Sequence, residues 1–138
     1  MTAKEYLSRA FMLESRINSK LAQIKTLRAT ATKASAVLTG MPSKPSRNVT
    51  AMEDAIVKMV DLETEISVLV GRLVDERREI TEVIARINDP MLETILELRY
   101  LCYKDWNEIA SELNYHRRHL FRLHGQALAK VVTPCHLM

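Results

Sequence analysis

The chain has 138 residues, of which 27% are charged and 5% aromatic, and a formal net charge of only +3. That length allows one or two small domains, and so small a total charge does not by itself name a partner. Three glycines, four prolines and a dominance of helix formers point to an all-α protein. Two cysteines, Cys102 and Cys135, make no disulfide framework and fit a reducing, cytoplasmic setting. No apolar run approaches the ~18 residues of a membrane span. Charges run through the N-terminal segment, so no signal peptide is expected.

In chain order, Ala10, Ile17, Ile24, Ala31 and Leu38 repeat every seven residues. Leu13, Leu27 and Ala34 fill the offset three later, with Leu21 beside them. This is a helical seam of coiled-coil type, interrupted at Lys20 and expected to end at Gly40 and Pro42. Residues 39–49, TGMPSKPSRNV, read as a loop. A second helix is expected to open at Thr50 and Glu53, which are spaced as a capping box. Along it Met52, Met59, Ile66, Leu73, Ile80 and Ile87 repeat by seven. Ala55, Leu62, Leu69 and Val83 fill the offset, and Val70 and Ile84 widen the stripe. Each helix runs about 35 residues, roughly 50 Å.

Two such helices joined by a short loop fold back most simply as an antiparallel hairpin. Charge favours the same pairing. Residues 1–40 hold seven basic and two acidic side chains, and residues 53–97 hold five basic and twelve acidic ones, so the blocks carry +5 and −7. Rim ion pairs add only ~0.2–1 kcal/mol each, so the buried seam supplies stability and the charges select the partner. Asp89 and Pro90 then suit the cap and first position of a third helix, about 90–102, burying Leu92, Ile95, Leu96 and Tyr100.

The stretch DWNEIASELNYHRRHLFRL, residues 105–123, fits a helix-turn-helix. Counting Trp106 as the first position, Ala110 is the small fifth residue where the second helix crosses closely. Asn114 is the ninth, where the turn needs a residue tolerant of positive φ. Ile109, Leu113, Tyr115, Leu120 and Leu123 face inward, and Asp105 caps the first helix. His116, Arg117, Arg118, Phe121 and Arg122 then point outward from a recognition helix of about 116–130. Its first turns suit the major groove of duplex DNA, where arginine pairs with guanine or clamps phosphate. His119 lies between the buried and exposed sectors. No acidic residue follows Glu112.

Other chemistries fit less well. His116, His119, His124, Cys135 and His136 lack the paired spacing of a zinc site, and Cys102 is remote in sequence. Asp105, Glu108 and Glu112 read as a solvated acidic face. No Gly-rich phosphate loop and no nucleophile with a base at a recognised spacing is present, so no enzyme is expected.

The run Leu98 to Leu101, Trp106 to Ala110, Leu113 to Tyr115, Arg117 to His124 and Ala127-Leu128 resembles region 4 of sigma-70-type transcription factors. More narrowly, it is similar to the small sigma-like regulators of phages and prophages of Gram-positive bacteria, including late-operon transcription activators. The resemblance covers about residues 90–132, a third of the chain. It implies a promoter-reading module in which Arg117, Arg118, Phe121 and Arg122 take the DNA-facing places. His116 departs from the serine or threonine usual at that helix start. Nothing resembles the sigma region that binds the −10 element, so a complete sigma factor is not expected.

The expected organisation is a two-helix coiled-coil hairpin over 1–88, the sigma region-4-like module over 89–132 and a tail over 133–138. The expected function is sequence-specific DNA binding in transcription regulation. Double-stranded DNA is the partner, and RNA polymerase and a second copy through the hairpin are further candidates. No cofactor, metal, membrane or small-molecule substrate is expected. The competing reading is a helical interaction protein that binds RNA polymerase or a phage packaging component, in the manner of a small terminase subunit, with the helix-turn-helix as scaffold.

Overall fold

The computed structural model describes residues 1–40 and 45–134, with the side chains of 34–40 and 45–48 left aside. Among the described residues the chain is all-α, with no strand. The helices are α1 (Ala3–Leu7), α2 (Arg9–Gly40), α3 (Pro45–Ala85), α4 (Pro90–Leu96), α5 (Trp106–Leu113) and α6 (Arg117–Lys130). No helix among the described residues is long and apolar enough to cross a membrane.

By contact the chain divides into two compact units. One joins Met1–Leu13 to the chain from Arg72 onward, and the other is Glu14–Gly71. The 88/89 boundary expected from sequence therefore falls inside the first unit. The reason is packing. Tyr6, Leu7 and Ala10 share one core with Ile80, Val83 and Ile84 of α3, Leu92 and Leu96 of α4, Tyr100, and Ala127 of α6. A smaller cluster of Ile95, Ile109 and Leu120 ties α4, α5 and α6 together.

In the first unit the N-terminal segment is pinned by polar contacts. Thr2 and Glu5 cap α1 reciprocally, each side chain accepting from the other's backbone N–H at 3.1 Å. The Tyr6 hydroxyl donates to Glu79 Oε1 at 2.7 Å, and Arg9 Nη2 donates to Glu76 Oε1 at 2.9 Å. Going from Tyr6 to Arg9 thus moves backwards along α3. Glu76 occupies an offset position of the seam and is only 9% exposed, so its carboxylate is held where an apolar side chain would be expected.

The second unit, Glu14–Gly71, holds the rest of α2 and the first part of α3. Ile17 and Ile24 are buried on one side, Ala55 and Leu69 on the other. Lys20, the polar break in the seam, reaches Glu65 Oε2 at 2.7 Å. Two side chains assigned to the stripe stay out of it: Leu21 is 49% exposed and Val70 is 42% exposed. Two paired helices cover little beyond their facing positions, so residues at the edge of the stripe keep their solvent.

Two expected boundaries move. The second helix opens at Pro45 rather than Thr50, since a proline at the first turn has no N–H to leave unpaired and its φ is already helical. Gly40 is the last residue of α2, while Pro42 lies outside the described residues, as do Cys135 and His136. The third helix is not uniform to 102. Its α-turns stop at Leu96 and a π-helical turn, Glu97–Leu101, follows, with the Cys102 N–H on Glu97 O at 3.0 Å. Arg77 of α3 fixes this widened end. Its Nη1 donates to Leu101 O at 3.1 Å and to the Tyr103 hydroxyl at 2.8 Å. Tyr103 itself has φ +58°.

Candidate nucleic-acid interface

Local chemistry sets the two helices that carry the candidate residues. Asp105 is extended, and its Oδ1 accepts from the Glu108 N–H at 2.8 Å, which starts α5. Leu113 is the last helical residue. Asn114 then turns left-handed at φ 57° and ψ 41°. The Tyr115 N–H returns to Ala110 O at 3.0 Å and the Asn114 N–H to Ser111 O at 3.4 Å. This pair of nested bonds closes a helix end before a sharp change of direction. His116 is extended and makes no side-chain cap, so α6 starts on backbone alone, with the Leu120 N–H on His116 O at 2.9 Å.

The inner faces of α5 and α6 meet through Ile109 and Leu120, both 0% exposed. Ala110, Leu113 and Leu123 flank them, half-buried. Their burial fixes the rotation of α6 and leaves the other face outward. His116, Arg117, Arg118 and Arg122 are all exposed there. His116, Arg118, His119 and Arg122 line one open groove. No Asp or Glu lies on α6, and Lys130 adds a further cation at its end.

The outward side chains are not free rotors. Arg122 Nη2 lies 2.8 Å from His119 Nδ1. A guanidinium can only donate, so Nδ1 accepts and carries no proton. The His119 ring in turn meets the Tyr115 ring edge-on at 4.9 Å. Arg117 lies over the Phe121 ring at 5.5 Å, and Phe121 packs edge-on against Trp106 at 5.3 Å. Trp106 continues the stack under Arg99 at 4.7 Å. Phe121 is therefore divided: 43% of it remains exposed, while its edge sits on the first residue of α5.

Comparison with protein-family models, with curated proteins and with solved structures finds no match to any. The site must be read from its own geometry.

Among the described residues no three His, Cys, Asp or Glu side chains stand together as a metal-ligand set. His124, one of the histidines in the weighed zinc pattern, faces inward instead. It is 9% exposed, its Nε2 lies 2.8 Å from the Tyr100 hydroxyl, and Trp106 packs edge-on against it at 4.6 Å. Burial lowers its pKa to about 4, assisted by the positive charges of Lys4 and Arg99. Burial likewise raises the Tyr100 pKa, so at neutral pH both partners are uncharged. The sequence reading missed this pair. The available signal was spacing: Leu120, His124 and Ala127 follow one another by four and three, as residues on one helix face do.

Of the acidic residues on α5, Asp105 is consumed as a cap and Glu112 pairs with Lys104. Glu108 and Asn107 are exposed at the helix start.

Proposed function

We propose that the chain is a sequence-specific DNA-binding regulator of transcription. In this reading α5, the Asn114 turn and α6 form a helix-turn-helix, with α6 as the recognition helix. The observation that carries it is the left-handed Asn114 between two helices locked through Ile109 and Leu120, which leaves Arg117, Arg118 and Arg122 exposed over the first turns of α6. Those turns are the ones a recognition helix inserts into the major groove, and their three guanidiniums match phosphate oxygens and guanine edges. Arg122, held by His119, is oriented before any ligand arrives. Arg117, resting on Phe121, is similarly restrained.

The same reading takes the pairing of α2 with α3 as an antiparallel helical hairpin. It rests on the reversed order of Tyr6–Glu79 and Arg9–Glu76 in one unit, and on Lys20–Glu65 with its surrounding seam in the other. The resemblance to sigma region 4 belongs to this proposal as well, and makes RNA polymerase a second candidate partner.

The test uses duplexes selected from a random-sequence pool by the purified protein. Replacing Arg117→Ala and Arg122→Ala together removes two charged contacts, each worth ~1–3 kcal/mol, so affinity should fall at least tenfold while helix content stays unchanged. Wild-type affinity in the double variant overturns the assignment of this face. If no duplex is enriched even at low salt, the competing reading gains: an interaction protein using the same fold as scaffold.

A further inference from the structure

One face of α3 in the second unit is left uncovered by the described residues. Ile56 is 46% exposed, Val60 54% and Val70 42%. Val57, 59% exposed, borders them. They recur at intervals of four and ten along the helix, so they fall on one side. Thr64 and Ser67 stand between them and Gly71 follows Val70, all exposed. The acids Asp54, Asp61 and Glu65 lie on another side of the helix, and Glu63 is the only charge within the stretch from 56 to 71 on this face.

Two further features fit a face that loses its water. The Thr64 hydroxyl donates to Val60 O at 3.0 Å and the Ser67 hydroxyl to Glu63 O at 3.1 Å, so neither hydroxyl proton needs solvent. A Cβ added at Gly71 would meet nothing within 4 Å. Nothing among the described residues explains a glycine there, although it weakens the helix. A glycine on an exposed helix face does let another backbone come close.

We propose that this face joins two copies of the chain, α3 against α3 in antiparallel order about a two-fold axis at the level of Glu65. A second copy is argued from self-complementarity: the apolar positions can face one another about such an axis, and the charges beside them are opposite. Reversed about position 65, Val60 of one chain falls opposite Val70 of the other, beside the gap left by Gly71. The two-fold makes the same contact twice, as a closed symmetric dimer requires. On the same side, the neighbouring α2 presents Leu21, 49% exposed, near the axis. Glu14 and Lys25 of α2 lie at nearly equal distances on either side of that level, so each copy offers an anion where the other offers a cation.

The proposal is independent of the DNA reading, because the association is measured without DNA. Sedimentation equilibrium of the full chain at micromolar concentration should give a dimer. Val60→Glu with Val70→Glu should give a monomer with the same helix content by circular dichroism. Gly71→Leu, which replaces a poor helix former by a good one, should also dissociate the dimer while keeping the chain folded. With Cys102 and Cys135 changed to serine, a Val60→Cys chain mixed with a Val70→Cys chain should form the mixed disulfide in preference to either homodimeric one. A monomeric wild type, a larger closed ring, a dimer that survives both the double-glutamate and Gly71→Leu changes, or indiscriminate cross-linking overturns the proposal.

Discussion

His124 is buried beside two cations, Lys4 and Arg99, and is bonded through Nε2 to Tyr100. An imidazolium there would lose its water and meet like charges, so the folded chain keeps the ring neutral down to a pKa of about 4, against 6.5 for an exposed histidine. The consequence for stability follows from proton uptake. As pH falls through 6.5 the unfolded chain takes up a proton that the folded chain refuses, so stability declines from about pH 6.5 to about pH 4 and this group adds no further change below that. The loss approaches ~3 kcal/mol at most, at 1.36 kcal/mol per pKa unit. His124→Gln keeps a hydrogen-bonding side chain and removes the titration. Urea midpoints at pH 7 and pH 4.5 should therefore differ less in this variant than in the parent. Equal differences in the two proteins would show that His124 is not the group responsible.

At the scale of elements, the turn between α5 and α6 depends on one residue. Asn114 sits at φ 57°, a region that costs residues with a Cβ about 1–2 kcal/mol unless, like asparagine, they hydrogen-bond locally. Asn114→Ala should lower stability by ~1 kcal/mol and Asn114→Gly should leave it equal or higher, as read by thermal unfolding. An alanine variant as stable as the glycine one would contradict the assigned conformation.

This turn was legible in the sequence because its determinants are local. Asn114 at the position needing positive φ, Asp105 before Trp106, and Asp89 before Pro90 each act on backbone within three residues. Asp89 accordingly accepts from Met91 and Leu92 at 3.2 and 3.3 Å. What was not legible depends on partners far along the chain. The π-helical turn at Glu97–Leu101 is held by Arg77, which nothing near residue 100 could announce. The packing of Tyr6 and Leu7 against α4 and α6 is equally remote. The start of α3 was misplaced for another reason. Pro45 and the Thr50–Glu53 box are both acceptable openings, and local rules do not rank them. In the candidate site, the outward set was readable from helical phase, whereas the Trp106–Phe121 contact and the inward turn of His124 needed the positions of two helices at once.

For the whole molecule, charge is distributed as the proposed DNA binding would need. The net charge of +3 conceals a strongly acidic middle, −7 over residues 53–97, and a C-terminal stretch from Asn114 with four basic side chains and no acidic one. Any polyanion should therefore be drawn to α6 and repelled from the middle of the chain. The buried side chains of α6, Leu120, His124 and Ala127, lie behind it, while of the outward ones Phe121 packs on Trp106 of α5. Substitutions at Arg118 or Arg122 should accordingly change binding without changing the fold.

The most direct test of DNA binding by α6 is the salt dependence of affinity for a selected duplex, measured by fluorescence anisotropy between about 50 and 200 mM salt. Each phosphate neutralised contributes about −0.9 to the slope of log K against log salt. The account predicts a clear negative slope in the parent protein that becomes shallower when Arg118 or Arg122 is replaced by alanine. A slope near zero, or one that neither replacement alters, would contradict it.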